Sequence, residues 1–241
     1  MTAWIDVPAA AVGQKLTAAG FGLAVDTAVL QLQDETDLDR VREWARPGGD
    51  VDGGLTTGAP VTVSGAGTTL VSGPGAGRRV VKGLTLWSAS AGSDITLALA
   101  GTTWCRRVYG SAGVDFLALC LPISAGETLT ASVTAGSVVC TPTYADRADA
   151  VVDRFGIGSS SGTLTLVAAG AARTVTQLWI ANTTATATTG TVRVGGVDVW
   201  SGDFGARTSV LIDDPRELAS GASLQVVSSG ASTLAAWASG Y

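Results

Sequence analysis

The 241-residue chain carries 15 Lys and Arg against 20 Asp and Glu, a formal net charge of −5, and no histidine. That balance excludes the basic footprint of a nucleic-acid binder, and the missing imidazole excludes Ser-His-Asp, Cys-His and His-dependent zinc chemistry. Thirty-two glycines, clustered between Val, Leu and Thr runs, argue for turn-rich β structure rather than helices.

Residues 1–58 read as an N-terminal attachment segment. The opening MTAWIDVPAA lacks the basic flank and long apolar core of an export signal, so the product is expected to be made and folded in a bacterial cytoplasm. No apolar run reaches the roughly 18–20 residues that a membrane-spanning helix needs. Over 17–33, helical spacing puts Phe21, Val25, Ala28 and Leu32 on one stripe, with Thr17 able to cap. A second short helix is expected from about 36 to 45, stopping at Pro47-Gly48. Helices this short are marginal alone. The stripe therefore needs a partner, either the rest of the chain or the same stripe in other copies, and it is assigned with Trp4 to an anchor or oligomer interface.

Beyond residue 58 the chain repeats itself. RVVKGLTLWSAS (79–90) aligns with RTVTQLWIANTT (173–184) at an offset of 94, placing Leu84 on Leu178 and Leu86 on Ile180. GETLTASV (126–133) aligns with GASLQVVS (221–228) at an offset of 95, placing Leu129 on Leu224. Between these anchors ITLAL (95–99) and TVRV (191–194) each lead through glycine to a tryptophan, Trp104 or Trp200. FLALCLPISAGETL (116–129) and SVLIDDPRELASGASL (209–224) each read as an apolar strand, a proline-containing connection and a glycine turn. Each half holds about seven short strand-type runs, placed in the second half near 163–167, 174–181, 191–194, 197–200, 209–212, 223–228 and 233–237. Alternation sends Leu178 and Ile180 to one face and Gln177 and Trp179 to the other. The expected fold is mainly β: two tandem jelly-roll-like β-sandwich domains, 59–146 and 150–241, behind a short helical segment.

No residue reads as catalytic, cofactor-binding or metal-ligating. There is no phosphate-binding loop, and the glycine-serine stretches 110–113 and 158–162 read as turns without a base beside them. A glycosidase needs only two carboxyls, but Asp34, Glu35, Asp37 and Asp39 form an acidic run that, alongside Arg40 and Arg42, reads as a solvated helical face, and Asp213-Asp214 has no counterpart in the first half. Asp50 and Asp52 lack the remaining ligands of a calcium loop. Cys105, Cys120 and Cys140, an odd number without CxxC spacing, are expected as buried thiols. Trp179 is the one aromatic that alternation turns away from its own core. It is expected either at an interface with a neighbouring domain or subunit, or stacked on a host glycan.

The stretch Trp4…Val12-Gly13-Gln14-Lys15-Leu16-Thr17-Ala18-Ala19…Phe21 resembles the opening of small tail-appendage and minor tail proteins of actinobacteriophages. The block Arg173-Thr-Val-Thr-Gln-Leu-Trp-Ile-Ala-Asn-Thr-Thr, with Gly221-Ala-Ser-Leu-Gln-Val downstream, resembles the small β-sandwich modules that decorate such virions. The first half departs from that module at Trp87-Ser88-Ala89. The resemblance implies a non-enzymatic virion structural protein, tail-associated or a capsid decoration or head fibre. Its partners would be copies of itself in a homotrimer, other virion proteins and, in a receptor-binding version, host glycan. It implies no cofactor, nucleic acid or membrane.

Overall fold

The computed structural model describes residues 55–147, 153–213, 215–230 and 232–241. The expected helices and the anchor residues Trp4, Phe21, Val25, Ala28 and Leu32 lie outside the described residues. The rest is all β. In DITLAL, Ile95, Leu97 and Leu99 are fully buried while Thr96 and Ala98 are only partly covered, the period of two that one sheet face against a core dictates.

The first sandwich runs through β1 (Thr56–Thr57), β2 (Val61–Val63), β3 (Thr68–Ser72), β4 (Arg78–Ser88), β5 (Asp94–Leu99), β6 (Thr102–Val108), β7 (Gly113–Ser124), β8 (Thr128–Ala135) and β9 (Val138–Arg147). One antiparallel sheet has the order β1-β9-β4-β7, with β2 also on β9, and it faces a second sheet of order β3-β8-β5-β6. The second sandwich uses β10 (Asp153–Ser160), β11 (Thr163–Val167), β12 (Arg173–Asn182), β13 (Thr188–Val194), β14 (Val197–Phe204), β15 (Ser209–Ile212), β16 (Arg216–Leu218), β17 (Leu224–Ser228) and β18 (Leu234–Gly240). Its sheets are β10-β18-β12-β15, with β16 also on β12, and β11-β17-β13-β14. Strand for strand the two orders are the same, and they are those of the eight-stranded jelly roll.

The repeat extends to irregularities. β4 and β12 shift register between Val81 and Gly83 and between Val175 and Gln177, and β3 and β11 shift just before Val71 and Val167. Both β5-β6 and β13-β14 close with two-residue turns whose central residues have positive φ, Ala100-Gly101 (47° and 81°) and Gly195-Gly196 (55° and 86°). That geometry matches the right-handed twist of the flanking strands.

Three local expectations are corrected. Leu97 pairs with Cys105 and Val192 with Trp200, so Trp200 corresponds to Cys105, and Trp104, the extra residue of a bulge, corresponds to Val199. Pro122 lies inside β7 rather than in a connection; β7 is an edge strand, where a missing N–H costs no ladder bond. In the second half, by contrast, β15 and β16 are separate strands on either side of Pro215. Residues 158–160 form the end of β10 rather than a turn. Gly156 lets that strand approach its neighbour, since a Cβ there would stand 2.2 Å from the Leu166 carbonyl oxygen.

Leu178 and Ile180 fill the second core with Leu166, Val192, Phe204 and Val226. The sheet they belong to is covered on both faces, however. β18, LAAWASG, is buried at all seven positions.

Candidate functional site

What covers the outer face of that sheet is the first sandwich, within one compact unit, Asp50–Tyr241. Ile157, Trp237, Trp179 and Leu211 are register partners in one row across β10, β18, β12 and β15. Trp179 and Trp237 are cross-strand neighbours and stack with their planes 5° apart and centroids 6.5 Å apart. Trp104, from edge strand β6, meets both edge-on at 5.4 and 6.4 Å. Edge-to-face and offset-stacked pairs are the arrangements the ring quadrupole favours. Trp104 and Trp237 are fully buried and Trp179 is 3% exposed. All three belong to the same apolar cluster as Leu84, Leu97 and Leu121, so the second sandwich contributes part of the first one's core.

Polar contacts surround this apolar centre. Arg154 donates to Glu127 with both guanidinium nitrogens, one at 2.9 Å, and to the Pro122 carbonyl at 2.9 Å. Arg107 donates to the Arg207 carbonyl at 3.2 Å and to Ser209 Oγ. Arg78 pairs with Asp153. The Arg154 guanidinium holds the Glu127 carboxyl below its ordinary range, against the opposing effect of partial burial. Within the first sandwich, Arg106 does the same for Asp94, and Arg79 for Asp146. The three indole N–H groups and Ser239 Oγ have no hydrogen-bond partner.

Trp179 thus sits between sandwiches of one chain, packed against two other tryptophans and buried, and it offers no open face to a sugar. Sequence alternation turned it away from its own core; nothing local identified Trp237 or Trp104 as its partners. Cys105 and Cys140 lie in the first core, where burial pushes their thiols up to about 11 and about 12. Cys120 is buried against Val80, its sulfur 3.8 Å from Lys82 Nζ. Among the described residues no group of three or more Cys, Asp or Glu could hold a metal ion. Asp213 accepts from Gln177 at 3.3 Å, and Asp198 pairs with Arg193.

Two apolar features remain open to solvent. On the outer face of the first sandwich's β1-β9-β4-β7 sheet, Trp87, Val114 and Phe116 are 46%, 64% and 66% exposed. Trp87 and Val114 are register partners, and the Phe116 ring leans over Gly83. In the second sandwich an apolar cavity of about 20 Å³ lies between edge strands β14 and β15/β16, lined by Leu178, Val192, Val199, Trp200, Ile212 and Leu218 among others.

No protein-family model matches the chain, and no curated protein matches it. Among solved structures, a conserved protein of unknown function from Pseudomonas aeruginosa PAO1 is similar at 15% identity and TM-score 0.31, covering 80% of this chain and 85% of that one. The major capsid protein P2 of bacteriophage PM2 is similar at 11% identity and TM-score 0.32, covering 77% and 97%. A third, HutD from Pseudomonas fluorescens SBW25, stands at 10% identity and TM-score 0.25, covering 76% and 77%.

Proposed function

We propose that this protein is a non-enzymatic structural component of a phage virion, tail-associated, which acts by assembling with copies of itself and with other virion proteins. The observation that carries the reading is the shared core. With Trp179 and Trp237 set into the first sandwich, the two jelly rolls form one body, while an aromatic face on the first sandwich is left exposed. A shape fixed internally and apolar externally suits a building block, since exposed apolar patches mark association sites. The tail assignment comes from the likeness of residues 4–21 to tail-appendage proteins, with three copies as the expected assembly. A capsid-decoration or head-fibre role is the second reading, favoured by the jelly-roll order of both sandwiches, an architecture that recurs in capsids. Host-glycan binding loses the aromatic that suggested it, because Trp179 is buried.

The test is mass spectrometry of purified particles of the encoding phage, followed by antibody labelling under the electron microscope. Stoichiometric presence with label at the tail is expected. Label on the capsid selects the second reading, and absence from the particle overturns both.

A further inference from the structure

We infer that copies of this chain associate head to tail, the outer β1-β9-β4-β7 face of one copy's first sandwich covering the β14–β15/β16 edge of the next copy's second sandwich. The inference names the contact behind the assembly reading above and rests on that reading only for the presence of several copies.

The contact is one the chain already makes once. Within the chain, the outer face of the second sandwich's β10-β18-β12-β15 sheet seals the edge of the first sandwich at β6, where Trp104 stands. Because the repeat keeps its register, each surface has a counterpart. The counterpart of the sealing face is the β1-β9-β4-β7 face, with Phe116 in place of Leu211 and with Trp87 and Val114 beside it. The counterpart of the sealed edge is β14 facing β15/β16, with Val199 in place of Trp104.

Among the described residues nothing covers either counterpart, and the two differ from their buried equivalents. The face carries protruding aromatics where its buried equivalent carries a flush tryptophan pair; Thr85 and Thr141 stand where Trp179 and Trp237 stand. The edge has lost the bulk of an indole at Val199, and there the apolar cavity opens, with Val199, Trp200 and Ile212 only half-buried. An exposed apolar face and a half-buried apolar edge, on opposite members of a duplicated pair, are the two halves of a heterologous interface. Such an interface repeats from copy to copy and ends only when a ring closes.

The experiment uses the full chain and two variants, a face variant Trp87→Ser/Phe116→Asp and an edge variant Val197→Asp/Val199→Lys, with unchanged unfolding midpoints as the check on folding. Sedimentation velocity should show a closed oligomer for the natural chain and monomers for each variant, with association weakened about 100-fold or more. An equimolar mixture of the two variants should give dimers and nothing larger, because each pair retains one intact face and one intact edge. A bifunctional maleimide, applied to Phe116→Cys and Val199→Cys chains mixed together, should join position 116 to position 199. A natural chain that stays monomeric, an edge variant that associates like the natural chain, or cross-links joining 116 to 116 would each overturn the inference. The virion role is judged separately, by the presence of the chain in particles.

Discussion

Replacing Trp237 separates the packing contribution of the tryptophan cluster from its hydrogen-bonding deficit. Trp237 is fully buried and touches two other indoles, so Trp237→Ala removes a large ring from a packed site, a change that costs about 3–5 kcal/mol. Its Nε1–H lacks a partner, and an orphaned donor already costs the folded state about 1–3 kcal/mol. The alanine variant gives that cost back, so its net loss should be about 2 kcal/mol. For a unit of this size that corresponds to roughly 4–8 °C in unfolding midpoint. Trp237→Phe keeps most of the ring and removes the orphan, and should cost less than about 1 kcal/mol. The assay is calorimetry with matched chemical denaturation. The natural chain should unfold in one transition across both sandwiches, because they share a core, and the alanine variant should broaden or split it. If phenylalanine proves as damaging as alanine, the indole N–H is satisfied in solution and the reasoning fails.

Glu127, Asp94 and Asp146 all bind protons less readily folded than unfolded, so their contribution is complete above the ordinary carboxylate range near pH 4 and is lost as pH falls through their depressed values. Glu127→Gln should cost about 1 kcal/mol at neutral pH, after allowance for partial exposure, and the difference from the natural chain should shrink as pH falls through the depressed Glu127 value in denaturant titrations. The three buried cysteines should resist a chromogenic disulfide reagent at pH 8 in the native state and all react after unfolding; rapid native labelling of Cys105 or Cys140 would contradict their raised pKa values. Ala100 holds a positive φ of 47° where the second repeat has Gly195. Ala100→Gly should therefore stabilise by about 0.5–1 kcal/mol and Gly195→Ala destabilise by a similar amount, and thermal melts that move the other way would show the turn is not strained.

The strand faces were legible because a period of two is local. Leu178, Ile180 and Trp179 separate correctly from spacing alone, and the offset of 94 between β4 and β12 survives in the pairing. What failed was whatever a bulge or a close approach decides. Matching Trp104 to Trp200 was off by one residue, which moves a side chain to another environment, because the bulge in β6 cannot be read from composition. The strand β10 escaped notice because DRFGIGSS is polar and glycine-rich; its glycines serve contact with Leu164 and Leu166, residues that follow in β11. The site was half legible. Spacing showed that Trp179 needed a cover, but Trp237 reaches it through the β12–β18 pairing and the cover itself comes from Trp104, whose approach depends on how two complete sandwiches dock.

That docking explains why the repeats diverged as they did. Two identical jelly rolls would present identical outer faces, and a heterologous contact between them buries one copy of that face and leaves the other free. The buried copy is then selected only for packing, and it carries Trp179, Trp237, Ala181 and Ala235 with no charged side chain in the central row. The free copy must stay soluble until it meets a partner, and there Thr85 and Thr141 occupy the centre while the aromatics sit beside them at Trp87 and Phe116. Threonine suits a strand open to water as well as one that is covered. A face that was to remain exposed for good would have no reason to keep Trp87, Val114 and Phe116 together, since each solvent-facing position in β4 and β7 accepts a polar residue without disturbing the core beneath.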